Sequence, residues 1–142
     1  MPSLTENLNE LLNRERGELE LIVSVIRDLK ESDPDVVEGG VDLLRTASWS
    51  CSGLCHRIIL PGDTPTVESE DLSGELDGLD STRAKLAYLC ESQEKHRQAV
   101  RAVLKRSDLD VVTRQFLDDL VRAHDEAIAW CGGKLHAWVP DK

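Results

Sequence analysis

Residues 61–80 read PGDTPTVESEDLSGELDGLD, a polar and acidic run between two stretches with helical apolar spacing. Whether this run is an element or a connector decides the architecture. It carries Pro61, Pro65 and several glycines, and no apolar seam continues through it. A short turn of helix fits inside it, but as a whole it reads as a connector. One residue spans at most about 3.3–3.6 Å, so some ten extended residues travel the length of a bundle helix. The run is therefore long enough to cross from one end of a bundle to the other.

On either side of it lie two helical patterns. In the first, Leu8, Leu12, Glu15, Leu19, Ile22, Ile26 and Leu29 step by threes and fours, the seam of a bundle helix. "SLTE" at its start offers a capping box with Ser3 as N-cap and Glu6 reaching back. "ESDPD" breaks the chain, and Ser32 or Asp33 can cap a second helix with Pro34 near its first position. That helix is expected to run to about Leu60 through Leu44, Ala47, Cys51, Cys55 and Ile58, weakened early by Gly39 and Gly40. The third pattern covers residues 81–106, with Leu86, Leu89, Gln93, His96, Val100 and Val103 in its seam. "RSDLD" makes a tight turn with Ser107 or Asp108 as cap. The fourth helix carries Leu117, Leu120, His124, Ile128 and Cys131, and either ends at Gly132-Gly133 or frays on towards Trp138. Short, long and short connections describe an all-α four-helix bundle with one long crossover between helices 2 and 3, whereas an up-down bundle needs only short loops.

Composition agrees with a single domain over residues 1–142. The chain has 4% aromatic residues and many Leu, Val, Ala and Ile, which favours helix packing over a β-sandwich. Its net charge of −10 repels phosphate backbones, so nucleic acid is not an expected partner. No stretch reaches the ~18–20 apolar residues of a membrane span, so no membrane partner is expected either. "MPSLTENLNELL" has no basic n-region or cleavage pattern, so it does not read as a signal peptide. Four cysteines in such a setting point to reduced thiols in a cytoplasm.

Most seam positions are aliphatic, and the exceptions are Glu15, Cys51, Cys55, Gln93, His96, His124 and Cys131. Glu15, Cys51, Gln93 and His124 each fall near the middle of their own helix. Midpoints of bundle helices lie at one level, so a polar layer is predicted across the centre, with Glu18 one turn beyond Glu15. A carboxylate in a bundle core is costly unless it is paired, protonated or bound to a cation. His124, Gln93, an arginine or a metal must compensate Glu15.

"LNELL" (residues 8–12) with "ERGELE" (15–20), "AYLCESQEKHRQAVRAVL" (87–104) and "AHDEAI" (123–128) resemble small bacterial ferritin-like domains over nearly the whole chain. The resemblance implies a ferritin-like bundle in a bacterial cytoplasm. The di-iron site of that group takes a Glu from two helices and Glu-x-x-His from the other two. By position, Glu15 matches the first-helix carboxylate and Glu94 the third-helix one. "WSCSGLC" (49–55) stands where the second helix would carry Glu-x-x-His, and in "HDE" (124–126) the histidine precedes the glutamate. A standard di-iron centre is therefore not implied, nor is iron storage.

Two function classes follow. One is a metal-binding or redox-related protein, with Glu15, Cys51 and His124 as ligands and Glu18, Cys55, Gln93 and Cys131 as neighbours. Two thiols on one helical face suit a soft ion, so the cofactor would be a transition metal such as iron, zinc or copper. The other is a non-catalytic interaction or stress-related bundle with a satisfied polar core. Buried cysteine also serves as a small hydrophobe, and an i, i+4 pair in an intact helix is poorly oriented for a disulfide. His56 points about 100° away from Cys55 and reads as a surface residue. Trp49 and Trp130, beside the seam, suit helix edges or a subunit contact, so a homo-oligomer through helix faces is a candidate assembly.

Overall fold

A computed structural model describes residues 2–31, 36–70, 75, 78, 79 and 81–137. They form an all-α four-helix bundle: α1 (Leu4–Leu29), α2 (Val36–Ile59), α3 (Thr82–Leu104) and α4 (Val111–Ala137). The all-α four-helix bundle expected from the sequence is met. No described helix is long and apolar enough to cross a membrane.

Local chemistry sets the helix ends. Ser3 Oγ accepts from the Glu6 amide at 3.1 Å, and Ser81 Oγ accepts from the Ala84 amide at 3.0 Å, each satisfying a donor the first turn leaves open. The α4 cap is Asp110, whose Oδ1 accepts from the Thr113 amide at 2.6 Å. This corrects the assignment to Ser107 or Asp108, since Asp108 is held by Arg106 through two bonds of 2.8 Å. Gly132 and Gly133 do not end α4, which continues to Ala137. The proposed α2 cap at Ser32, Asp33 and Pro34 and the continuation towards Trp138 lie outside the described residues.

Each helix runs antiparallel to both neighbours. Lys85, early in α3, pairs with Asp28, late in α1, at 2.8 Å, while Arg106 after α3 donates to Pro2 O (3.0 Å) and Asn7 Oδ1 (2.9 Å) beside the start of α1. Across α1 and α2, Gly40 faces Ile26, and across α2 and α4, Gly39 faces Trp130 and Gly53 faces Phe116. The glycine pair at 39 and 40 thus lets α2 approach two large side chains. Arg97 and Asp125 join α3 to α4 at 2.6 Å.

Residues 63–70 lie along α1. The Thr66 amide donates to Asn9 Oδ1 at 2.6 Å, Arg16 donates to Thr66 O and to Glu68 O at 3.1 Å, and the Glu70 amide donates to Asn13 O at 3.0 Å. Gly17 belongs to this contact. Mid-helix glycine costs about 1 kcal/mol relative to alanine, but a Cβ there would sit 2.9 Å from Glu70 Cβ and O. The glycine makes room for the strap.

The core has two apolar clusters. One gathers Leu21, Ile22, Val25, Leu29, Leu86 and Leu89 with Cys131. The other gathers Leu8, Leu11, Leu12, Leu54, Ile58, Leu117 and Leu120. Between them, buried Glu15, Glu18, Ser50, Ser92, Gln93, His96 and His124 fill the middle of the bundle.

Candidate functional site

α1 supplies both carboxylates of this middle layer. Positions 15 and 18 share a helix face because they are three residues apart. α3 brings Ser92, Gln93 and His96, α4 brings His124, and α2 brings Ser50. Glu15 Oε1 lies 2.6 Å from His124 Nε2, and Glu15 Oε2 accepts from Ser50 Oγ at 3.2 Å. His124 Nδ1 lies 2.5 Å from Gln93 Oε1, and Gln93 Nε2 donates to Glu18 Oε2 at 2.9 Å. Glu18, with no exposed surface, also accepts from Ser92 Oγ.

This order fixes where the protons are. An amide nitrogen only donates, so Gln93 must turn its nitrogen to Glu18 and its oxygen to His124. His124 Nδ1 therefore carries hydrogen, and a further proton lies in the contact between Nε2 and Glu15. Burial acts to raise the pKa of Glu15, but the charge and hydrogen bond of His124 outweigh it and hold the carboxyl below its ordinary range.

His96 completes the layer on the connector side. It is 3% exposed; its Nδ1 lies 3.0 Å from Glu18 Oε1 without alignment for a hydrogen bond, and its Nε2 lies 3.6 Å from Glu70 Oε2. Burial works against its charge, yet the Glu18 carboxylate close beside it and the charges of Glu15 and Glu70 raise its pKa. The rings of His96 and His124 stand edge to face, 6.0 Å apart. A cavity of about 20 Å³ beside Glu15, Thr46, Ser50 and His124 has room for one water.

The structure brings Glu15, Glu18, Gln93 and His124 together. It does not bring the cysteines with them. On α2 the inward residues are Ala47, Ser50, Leu54 and Ile58, so Ser50 takes the level expected for Cys51. Cys51 and Cys55 are half-buried to one side, where burial first, then Glu15, pushes the Cys51 thiol up to about 11. Cys55 Sγ lies 4.0 Å from Arg16. Cys131 is in the apolar cluster near the end of α1, where burial pushes its thiol pKa up as well. Glu94, the third-helix match, is exposed and faces away from the layer, as His56 does from the core.

Ser50, Ser92 and Glu70 were missed by sequence reasoning. Serine gives no apolar period, and Glu70 sits in a connector with no period at all. The one available signal was Gly17, an unexplained glycine inside an otherwise regular helix. Among the described residues, no three His, Cys, Asp or Glu side chains are grouped so as to hold a metal ion. In the set named from sequence, the oxygens of Glu15 and Glu18 have protein partners, and the cysteines lie apart from them. Comparison with known proteins finds no family model that matches the chain and no similar sequence among curated proteins.

Proposed function

We propose that this chain is a non-catalytic, ferritin-like helical-bundle protein that works through its surface. In it, a proton-held Glu15–His124–Gln93–Glu18 network fills the level at which related bundles hold metal. One observation carries the reading: both Glu15 oxygens, both His124 nitrogens and both amide atoms of Gln93 have a partner within the protein. Such a network contributes little net stability, because desolvation offsets the pairing, but it penalises every helix register in which a charge is left alone. The ferritin-like topology belongs to the same proposal. It is supported by the antiparallel neighbours and by residues 63–70 along α1, which read as part of one long crossover. Free cysteines fit a cytoplasmic setting, and the acidic charge of −10 disfavours nucleic acid as a partner.

A metal-binding or redox-related role is the second reading, and one observation favours it. His96 Nδ1 and Glu70 Oε2 are buried without a hydrogen-bond partner, on either side of a ring that also meets Glu18. Iron, zinc or copper there would supply Lewis-acid or redox chemistry only once these side chains drew closer, because no three His, Cys, Asp or Glu among the described residues are grouped so as to hold an ion. Elemental analysis of untagged protein separates the readings. The first expects well under about 0.1 metal per chain and no thermal stabilisation by added Zn²⁺ or Fe²⁺. A stoichiometric metal lost on His96→Gln substitution replaces it with the second.

A further inference from the structure

The outer side of α2 differs from the rest of the surface. Residues 46–56 contain no Asp, Glu, Lys or Arg, although these make up 31% of the chain. Trp49, Ser52, His56 and Ile59 step by threes and fours along α2, a second seam turned away from the core. Trp49 is 42% and Ile59 54% exposed, and Val112, at the start of α4 beside the end of α2, is 60% exposed. The Trp49 ring packs on Phe116 with centroids 5.1 Å apart, and Phe116 fits there because any Cβ on Gly53 would overlap its ring. Two of the chain's few aromatic rings (three Trp, one Tyr, one Phe) are thus spent on one uncharged face. Exposed aromatics beside small residues are the kind of group that carries binding energy at interfaces.

Charge selects the occupant. Two copies at −10 each repel through any face that bears the acidic excess. A basic partner would be steered to those acidic faces rather than to one with no charge to offer. A face without charge is the one that two copies can share.

We propose that the outer face of α2, with the first turns of α4, is a homodimer interface in which two α2 helices pair antiparallel about Ser52. The two Ser52 side chains meet at the centre, where small residues let the helices approach closely. Each Trp49, three residues from the centre, then lies beside the partner's Cys55 and the partner's His56, three and four residues from it, with the partner's His56 about 1.5 Å out of register. Arg45 and Asp42, 3.6 Å apart, stay at the rim. This names the partner in the interaction reading and rests on it.

Sedimentation equilibrium of the full chain, with chelator present, tests the proposal independently of metal content. The expected mass is twice 15.8 kDa at concentrations up to about 100 μM, corresponding to a Kd in the micromolar range. Trp49→Ser combined with Ile59→Lys, which sets a like charge level with the partner's Arg45, should weaken association at least about tenfold, with an unchanged circular dichroism spectrum. Val67→Glu, at a connector residue 95% exposed, should leave it intact. A monomer throughout this range overturns the proposal and leaves the face to a different partner. A dimer that persists in the double variant overturns it too, because the contact then lies elsewhere.

Discussion

Replacing Glu15 by leucine separates a paired core from a merely crowded one. The substitution removes the acceptor 2.6 Å from His124 Nε2 and the one 3.2 Å from Ser50 Oγ. Ser50 keeps a second acceptor, Ala47 O at 2.8 Å, so it is not orphaned. His124 is. An orphaned buried donor costs about 1–3 kcal/mol, and a buried ion pair broken on one side about 3–5 kcal/mol. Leucine returns some apolar burial between the two clusters, so the net loss should be about 2–4 kcal/mol. In a chain of this size that lowers Tm by roughly 5–15 °C. Glu15→Leu with His124→Leu removes both members and leaves only Gln93 Oε1 short of a donor, a residual cost of about 1 kcal/mol. The double variant should therefore be more stable than the single one, a non-additive result measurable by urea denaturation at constant m-value. If Glu15→Leu melts with the parent, or if the two substitutions simply add, Glu15 and His124 do not share a proton.

Stability should also depend on pH in two opposite senses. The lowered pKa of Glu15 contributes stability above its ordinary value of 4.5 that is lost as pH falls through the depressed value. The raised pKa of His96 contributes stability below 6.5 that is lost as pH rises through the elevated value. Tm should therefore be highest between these two ordinary values, and His96→Gln should flatten the alkaline limb, with a smaller change on the acid limb because His96 also helps to lower the Glu15 pKa; an unchanged alkaline limb in that variant would refute the role given to His96. Timed labelling with a thiol reagent should modify Cys55, at the rim beside Arg16, before Cys51 and well before Cys131; equal rates for Cys55 and Cys131 would contradict their placement. Gly17→Ala improves helix propensity by up to about 1 kcal/mol but pushes against Glu70. Limited proteolysis should then cut within 63–70 faster than in the parent, and an unaltered rate would mean the strap does not need the glycine.

The fold was legible where hydrophobic period is strong. In α3, every seam residue read from the sequence, from Leu86 to Val103, is buried. In α2, Ala47 and Ile58 face inward as expected, but between them the seam runs through Ser50 and Leu54, one residue before Cys51 and Cys55. In "SWSCSGLC" serine, cysteine and glycine are all small, so apolar spacing could not distinguish a seam through Cys51 and Cys55 from one through Ser50 and Leu54. Tertiary contacts decide it, since Gly53 must face Phe116. The polar layer was visible from α1, α3 and α4 because Glu15, Gln93 and His124 interrupt otherwise aliphatic seams. Its partner in the connector was not. Glu70 reaches His96 only because Asn9, Asn13 and Arg16 hold the strap to α1, and side-chain grips of this kind leave no period in a sequence.

The proposed closing of the layer around His124 by protons, rather than by a metal, is open to a direct test. Side-chain ¹H–¹⁵N NMR of the native protein reads this directly. It should show a slowly exchanging hydrogen on His124 Nδ1 and a second proton in the Nε2–Glu15 contact, both unmoved by one equivalent of Zn²⁺ or Fe²⁺. Loss of the Nε2-side proton on addition of metal, with a matching shift of the His124 ring, would contradict the account.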